Sequence, residues 1–311
     1  MEVTEDTRTF FVLRYTIIEE AQRDLYSKLL PVPKGRAVLE AIGVGSADKN
    51  FRKNGVSYSF VGFKWANPNS EAVFPPNRFI IGKLAKKRLT ETGVHVPGDI
   101  VMNHLEDWIG LIAIFDTESQ HIVIEKNWRF GTPEQIETAL QAGLLKDISD
   151  IYNCKVFVKG RTKKHLFWNL VRESTDIYSL ELKLISPNIL DANMRARKAL
   201  EDLKKIFEQD EIDITLKNEG GKLAVPEEPV ADYISYISQG EGSWKITSRK
   251  HSGRKKTYSS FQNTDTLELP TPEPATTEQG YIEGETRDIP KKEVLRLVSA
   301  THLAIENYSD D

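Results

Sequence analysis

Hydrophobic positions fall mostly into short β-branched and aromatic runs broken by polar turns, with fewer stretches at helical spacing. Thr9 to Ile18 (TFFVLRYTII) predicts a first strand, feeding a short helix through Glu20 to Leu30 that Pro31 and Pro33 close. GVGSADKNFRKNG is a loop by composition. Val56 to Trp65 (VSYSFVGFKW) and Arg78 to Leu84 (RFIIGKL) predict two further strands. WIGLIAIF and HIVIE, separated by a short polar turn, predict a hairpin of two central strands. Thr132-x-x-Gln135 is a capping box with Pro133 in the first turn; it opens a helix whose apolar face is Ile136, Ala139 and Leu140. Gly143 either ends that helix or weakens it.

In the second half, CKVFV and YSLELKLI read as strands separated by the basic and aromatic segment KGRTKKHLFWNL. Ile189 to about Gln209 carries Leu190, Met194, Leu200, Leu203, Ile206 and Phe207 on one side and predicts a long helix. IDITLKN alternates cleanly as a half-buried strand, and Val230 to Ser238 predicts a short helix. SWKITSRK and KKTYSSF flank HSGR as a hairpin. LPTPEPATTEQG reads as a surface loop, after which Pro290 opens a last helix docked by Val294, Leu295 and Val298. The expected fold class is α+β, two mixed units with mainly antiparallel sheets and packed helices, covering residues 1–149 and 150–311. Regular strand–helix alternation and glycine-rich crossovers, which a doubly wound parallel fold needs, are missing.

Composition narrows the classes. The chain has 311 residues, 39% of them hydrophobic, enough for a real core. A formal charge of −4, from 42 basic and 46 acidic residues, excludes a histone-like protein and makes the distribution of charge the informative quantity. One cysteine, Cys154, excludes an intramolecular disulfide framework and cysteine-rich zinc modules. An acidic start without a basic-then-apolar leader, and no apolar run of bilayer length, predict a soluble cytoplasmic chain away from membranes.

Three basic clusters recur at strand ends or in a hairpin. They are Lys83, Lys86, Lys87 and Arg88; Lys159, Arg161, Lys163 and Lys164 with His165; and Arg249, Lys250, Arg254, Lys255 and Lys256. If they share a face, their field attracts a polyanion and sets several donors against successive phosphates. Phe167, Trp168, Trp244 and Tyr258 offer stacking surfaces beside two of them. The competing reading is that lysines blunt strand ends in any protein while neighbouring aromatics pack inward. No motif separates DNA from RNA.

An enzymatic alternative rests on Glu181 and Lys183, which alternate onto one strand face. With Asp176 or Glu173 as a second acid, Glu181 would hold Mg²⁺ while Lys183 orients water or steadies phosphoryl charge. The Glu-x-Lys pair resembles metal-dependent nucleases of the restriction-enzyme type, whose first acid lies further upstream on a separate strand; Asp150 would have to serve. No other cofactor is implied. The histidines lack metal-ligand spacing, Cys154 lacks an activating neighbour, and GVGS lacks the lysine and hydroxyl of a phosphate loop. A third reading is a structural or regulatory module whose strand edges bind a protein partner or a second copy of the chain.

The central hairpin, the ISPN segment before a long helix, and ITLKNEGGKL together resemble uncharacterised bacterial families found among mobile-element and phage-defence genes. The resemblance covers about Arg78 to Leu223 and implies an accessory component of a bacterial defence assembly. It carries over no catalytic residue.

Overall fold

The computed structural model describes residues 6–20, 27–67, 74–186, 195–251, 253–272 and 291–307. Its first sheet is built from β1 (Thr7–Glu19), β2 (Lys49–Lys53), β3 (Val56–Trp65), β4 (Phe79–Val96), β5 (Asp99–Asp116), β6 (His121–Glu125) and β7 (Cys154–Gly160). The pairing runs β1-β6-β5-β4-β3-β2, all antiparallel, with β7 on the other edge of β1. Around it lie a short α1 (Val38–Ala41) and the long α2 (Pro133–Tyr152).

β1 is hydrophobic on both faces because both are covered. Phe11, Leu13, Tyr15 and Ile17 join a core completed by Ile136, Ala139, Leu140, Leu144 and Ile148 of α2. The capping box that opens α2 is present in both halves, and the helix runs 20 residues. Gly143 does not end it: a Cβ there would sit 2.5 Å from Phe60 and 2.7 Å from Phe51, so glycine lets α2 press onto the aromatic pair.

The chain then leaves for a second sheet. α3 (Lys164–Glu173) leads into β8 (Ser174–Ile185), followed by α4 (Arg195–Phe207), β9 (Glu211–Lys217), α5 (Glu227–Ser238), β10 (Gly242–Lys250) and β11 (Lys256–Ser259). The order is β11-β10-β8-β9. One face is buried under α3, α4 and α5 through Phe167, Leu180, Leu182, Leu184, Leu200, Ile234, Trp244 and Ile246. The other carries Ser179, Glu181 and Lys183 beside Lys245, Thr247, Asp213 and Thr215, the alternation expected of a sheet covered on one side.

β12 (Thr266–Pro270) brings the chain back to the first sheet. It pairs with Thr7–Phe11 on the β1 edge whose other end pairs with β7. α6 (Lys291–Asn307) covers the face opposite α2, with Val294, Leu297, Val298 and Ile305 against Phe10, Phe79, Ile81 and Ile112. The fold is α+β. The division expected near residue 150 falls between α2 and β7, whereas β7, β12 and α6 all belong with the first sheet. The second sheet is therefore an insertion between β7 and β12. Arg14 and Glu241 form an ion pair of 3.4 Å across the junction, beside the backbone bond from Thr162 N to Ser238 O at 3.1 Å.

Several other expectations change. CKVFV and YSLELKLI lie in different sheets, and the segment between them is helical rather than a connector. β4 and β5 extend to 18 residues each, well beyond the apolar runs, because the hairpin continues past the covered core. Lys49–Lys53, inside the segment read as a loop, pairs with β3. The helix expected at Glu20 to Leu30 falls largely on residues 21–26, and most of LPTPEPATTEQG on 273–280, both outside the described residues. The long helix from Ile189 is described over Arg195–Phe207.

Candidate nucleic-acid interface

The first basic cluster is divided by the pleat of β4: Lys83 and Lys87 point to one face, Lys86 and Arg88 to the other. Lys86 donates to Phe130 O at 2.6 Å and lies 5.5 Å from the Phe130 ring centre. Burial, with Arg88 adding to it, holds its ammonium below the usual lysine range. Lys87 pairs with Glu106 across the hairpin, Arg88 donates to Arg129 O, and Lys83 is buried. The four are thus divided between the two faces of the first sheet, whereas α3 leads into the second sheet and the β10–β11 hairpin belongs to it.

The second cluster begins in β7 with Lys159 and runs onto the insertion, where the third lies. Arg161 is taken up at the junction, where it donates to His121 Nε2 at 3.1 Å. Lys159 lies 5.6 Å over Phe261, and Lys163 pairs with Asp265 at 3.6 Å. Lys163 is also the N-cap of α3 and makes no side-chain capping bond; Lys164 and His165 follow with no acid in the first turn. Cations at the positive end of a helix dipole are unfavourable by about 0.3–1 kcal/mol, and an anion would relieve that. Lys164, Trp168 and Arg172 recur at i, i+4 and i+8 along one side of α3.

The C-terminal end of α3 meets the β10–β11 hairpin, since Ser174 pairs with Lys250. Here Arg249 pairs with Asp176 at 2.7 Å, which holds that carboxyl below the usual range, and Lys250 pairs with Glu173. Lys255 lies 4.3 Å over Tyr178. Lys164, Arg172, Arg254, Lys255 and Lys256 are exposed and form no ion pair among the described residues. Two of the three clusters thus stand at opposite ends of one ten-residue helix, about 15 Å apart. Of eight lysines and arginines here (Lys163, Lys164, Arg172, Arg249, Lys250, Arg254, Lys255, Lys256), three are ion-paired among the described residues: Lys163 with Asp265, Arg249 with Asp176 and Lys250 with Glu173.

The aromatic residues behave differently from the expectation. Phe167 and Trp244 are buried at 0% and 2% exposure, their ring centres 5.2 Å apart in an edge-to-face pair, and so cannot stack on a base. Trp168 and Tyr258 are half-buried at the edge of the same core. Arg172 was missed by sequence reasoning: its spacing from Lys164 is a helical signal, visible only once the segment is read as a helix.

Glu181 and Lys183 share the polar face of β8 as expected. Lys183 pairs with Asp213 at 3.0 Å, and Glu181 stands in register with Lys245 and Thr215. Asp176 is five positions back on the same strand, about 17 Å of extended chain from Glu181, and bound to Arg249. A shared divalent ion needs oxygens converging within about 2.0–2.6 Å, so this pair does not assemble one Mg²⁺ site. Among the described residues no three His, Cys, Asp or Glu side chains gather at ligand spacing.

His121 is a structural group. Arginine can only donate, so Nε2 accepts from Arg161; Nδ1 then carries the proton toward Ser119 Oγ at 2.8 Å, and Ser119 donates to Asp116 at 2.7 Å. Asp116 is held by Arg78 at 2.8 Å. Burial, then the charges of Arg161 and Arg14, push His121 down to about 3. Cys154 is buried and its thiol donates to Tyr152 O. No family model matches this chain, and no curated protein is similar enough to count as a relative.

Proposed function

We propose that this protein binds nucleic acid without sequence preference and without cleaving it, through the face formed by α3 and the β10–β11 hairpin. The observation that carries the reading is the group of exposed cations, Lys164, Arg172, Arg254, Lys255 and Lys256, that have no carboxylate partner among the described residues although the chain as a whole is acidic. The uncapped, basic start of α3 supports it, because a phosphate there would satisfy helix N–H groups and offset the local charge. With Phe167 and Trp244 buried, contacts fall on phosphates rather than bases, which positions a strand without reading it. Part of the same proposal is a cytoplasmic accessory role in a bacterial defence assembly, as the resemblance implies. Among the described residues no helix is long and apolar enough to cross a membrane.

The test is fluorescence anisotropy with labelled single-stranded and duplex oligonucleotides. Charge reversal of Lys164, Arg254 and Lys255 together is expected to weaken binding at least tenfold. Reversal of Lys87 and Arg88, which have partners on the first sheet, is expected to leave it within twofold. Equal losses from both variants, or no binding at low salt, would overturn the reading.

A further inference from the structure

The α6-covered face of the first sheet continues into a cavity that none of the foregoing uses. Ile81 and Ile112 belong to the α6 core; two residues further along their strands, Lys83 and Gly110 lie beyond that cover. The register sets Asn50 opposite Ser59, Ser59 opposite Ala85, and Ala85 opposite Gly110, a row of short side chains crossing β2, β3, β4 and β5. Lys83 stands on one side of this row and Trp108 on the other. Short residues between tall ones leave a trough, here of about 320 Å³ and lined also by Asp48. That is the size of a small-molecule site.

Its polar groups are built in rather than incidental. Lys83 is 6% exposed and Ser59 4%, although both line an open cavity. The stem of Lys83 lies over Gly110, where even a Cβ would come within 3.3 Å of Lys83 Cδ, so glycine gives the lysine its path. Asp48 accepts the Gly62 N–H at 3.1 Å, which fixes the carboxylate at the end of β3's irregular segment. Trp108 is 45% exposed and offers an indole face in a protein whose other large aromatics on this sheet are mostly buried.

We propose that the trough binds a small anion carrying a flat ring. Its charge would lie against Lys83, with the Ser59 hydroxyl and Asn50 amide donating, and its ring against Trp108. The site is independent of the nucleic-acid reading, because it belongs to the other sheet and shares no residue with α3 or the β10–β11 hairpin.

Isothermal titration calorimetry with AMP and with 2-naphthoate tests this, with adenosine and inorganic phosphate as half-ligands. At least one of the two complete anions is expected to bind, tenfold or more tighter than either half-ligand. AMP alone would identify a nucleotide-like ligand, and 2-naphthoate an aromatic acid. Lys83→Met is expected to weaken binding at least tenfold, and Ala85→Leu, which fills the floor, to abolish it with the melting temperature kept. Lys255→Glu is expected to leave it unchanged. Binding of neither anion at millimolar concentration, or binding that survives Ala85→Leu, would overturn the proposal. Ala85→Leu alone decides the matter if Lys83→Met does not fold.

Discussion

Glu137 carries the least comfortable charge in the first core. It is 3% exposed on α2; Oε1 accepts the Gly160 N–H at 2.8 Å, while Oε2 has no hydrogen-bond partner. Burial pushes it up to about 7, with Lys159 only partly opposing. Its pKa is raised on folding, so its contribution to stability is full below about 4.5 and is lost as pH rises through about 7. Glu137→Gln should flatten that slope and stabilise the protein at pH 8 by about 1–3 kcal/mol, read from urea midpoints at pH 5 and 8. An unchanged difference between the two pH values would contradict the assignment. His121 has the opposite sign. Its pKa is depressed, so its contribution is present above about 6.5 and is lost as pH falls toward 3. His121→Asn should therefore lose stability at pH 7 but show a shallower loss between pH 6 and 4. Neither group was legible in the sequence, because an unpaired carboxylate oxygen and a histidine between a serine and an arginine depend on residues 23 and 40 positions away.

Helices and strands were more readable than their ends. The capping box of α2, the alternation of β9 and the hairpin of β10 and β11 are local signals, and each element formed where its pattern lies. α3 was not readable, since Lys163 and Lys164 at its start violate the usual charge preference and its apolar residues are bunched at Leu166–Trp168 and Leu170–Val171 rather than spread at helical spacing. The extension of β4 and β5 was hidden for another reason: beyond Lys86 and Ile109 the pair leaves the core, so hydrophobic alternation fades. Val94, Ile100, Val101 and Met102 are exposed there. Gly143 gives a sharp test at this scale. In an exposed helix a Gly→Ala change stabilises by up to about 1 kcal/mol. Here a Cβ meets Phe60 and Phe51, so Gly143→Val should destabilise by about 1–3 kcal/mol in urea denaturation. A neutral result would mean that α2 can move off the aromatic pair.

At the scale of the whole molecule, the chain builds most of one sheet, inserts a second, and returns to complete the first. The return through β12 was not legible, because pairing of Thr7–Phe11 with Thr266–Pro270 links segments more than 250 residues apart and leaves no local pattern. The same topology decides the charge question. It divides the Lys83–Arg88 cluster between the two faces of the first sheet and brings Lys163 and Lys164 to one end of α3 and the β10–β11 cations to the other. The central claim is that exposed cations there contact phosphates. It is tested most directly by the salt dependence of binding to an unstructured oligonucleotide, measured for the native protein and for the Lys164→Glu/Arg254→Glu/Lys255→Glu variant. Five phosphate contacts predict a slope of log K against log salt of about −3 to −5 for the native protein, and a clearly shallower slope for the variant. Equal slopes for the two proteins would contradict the account.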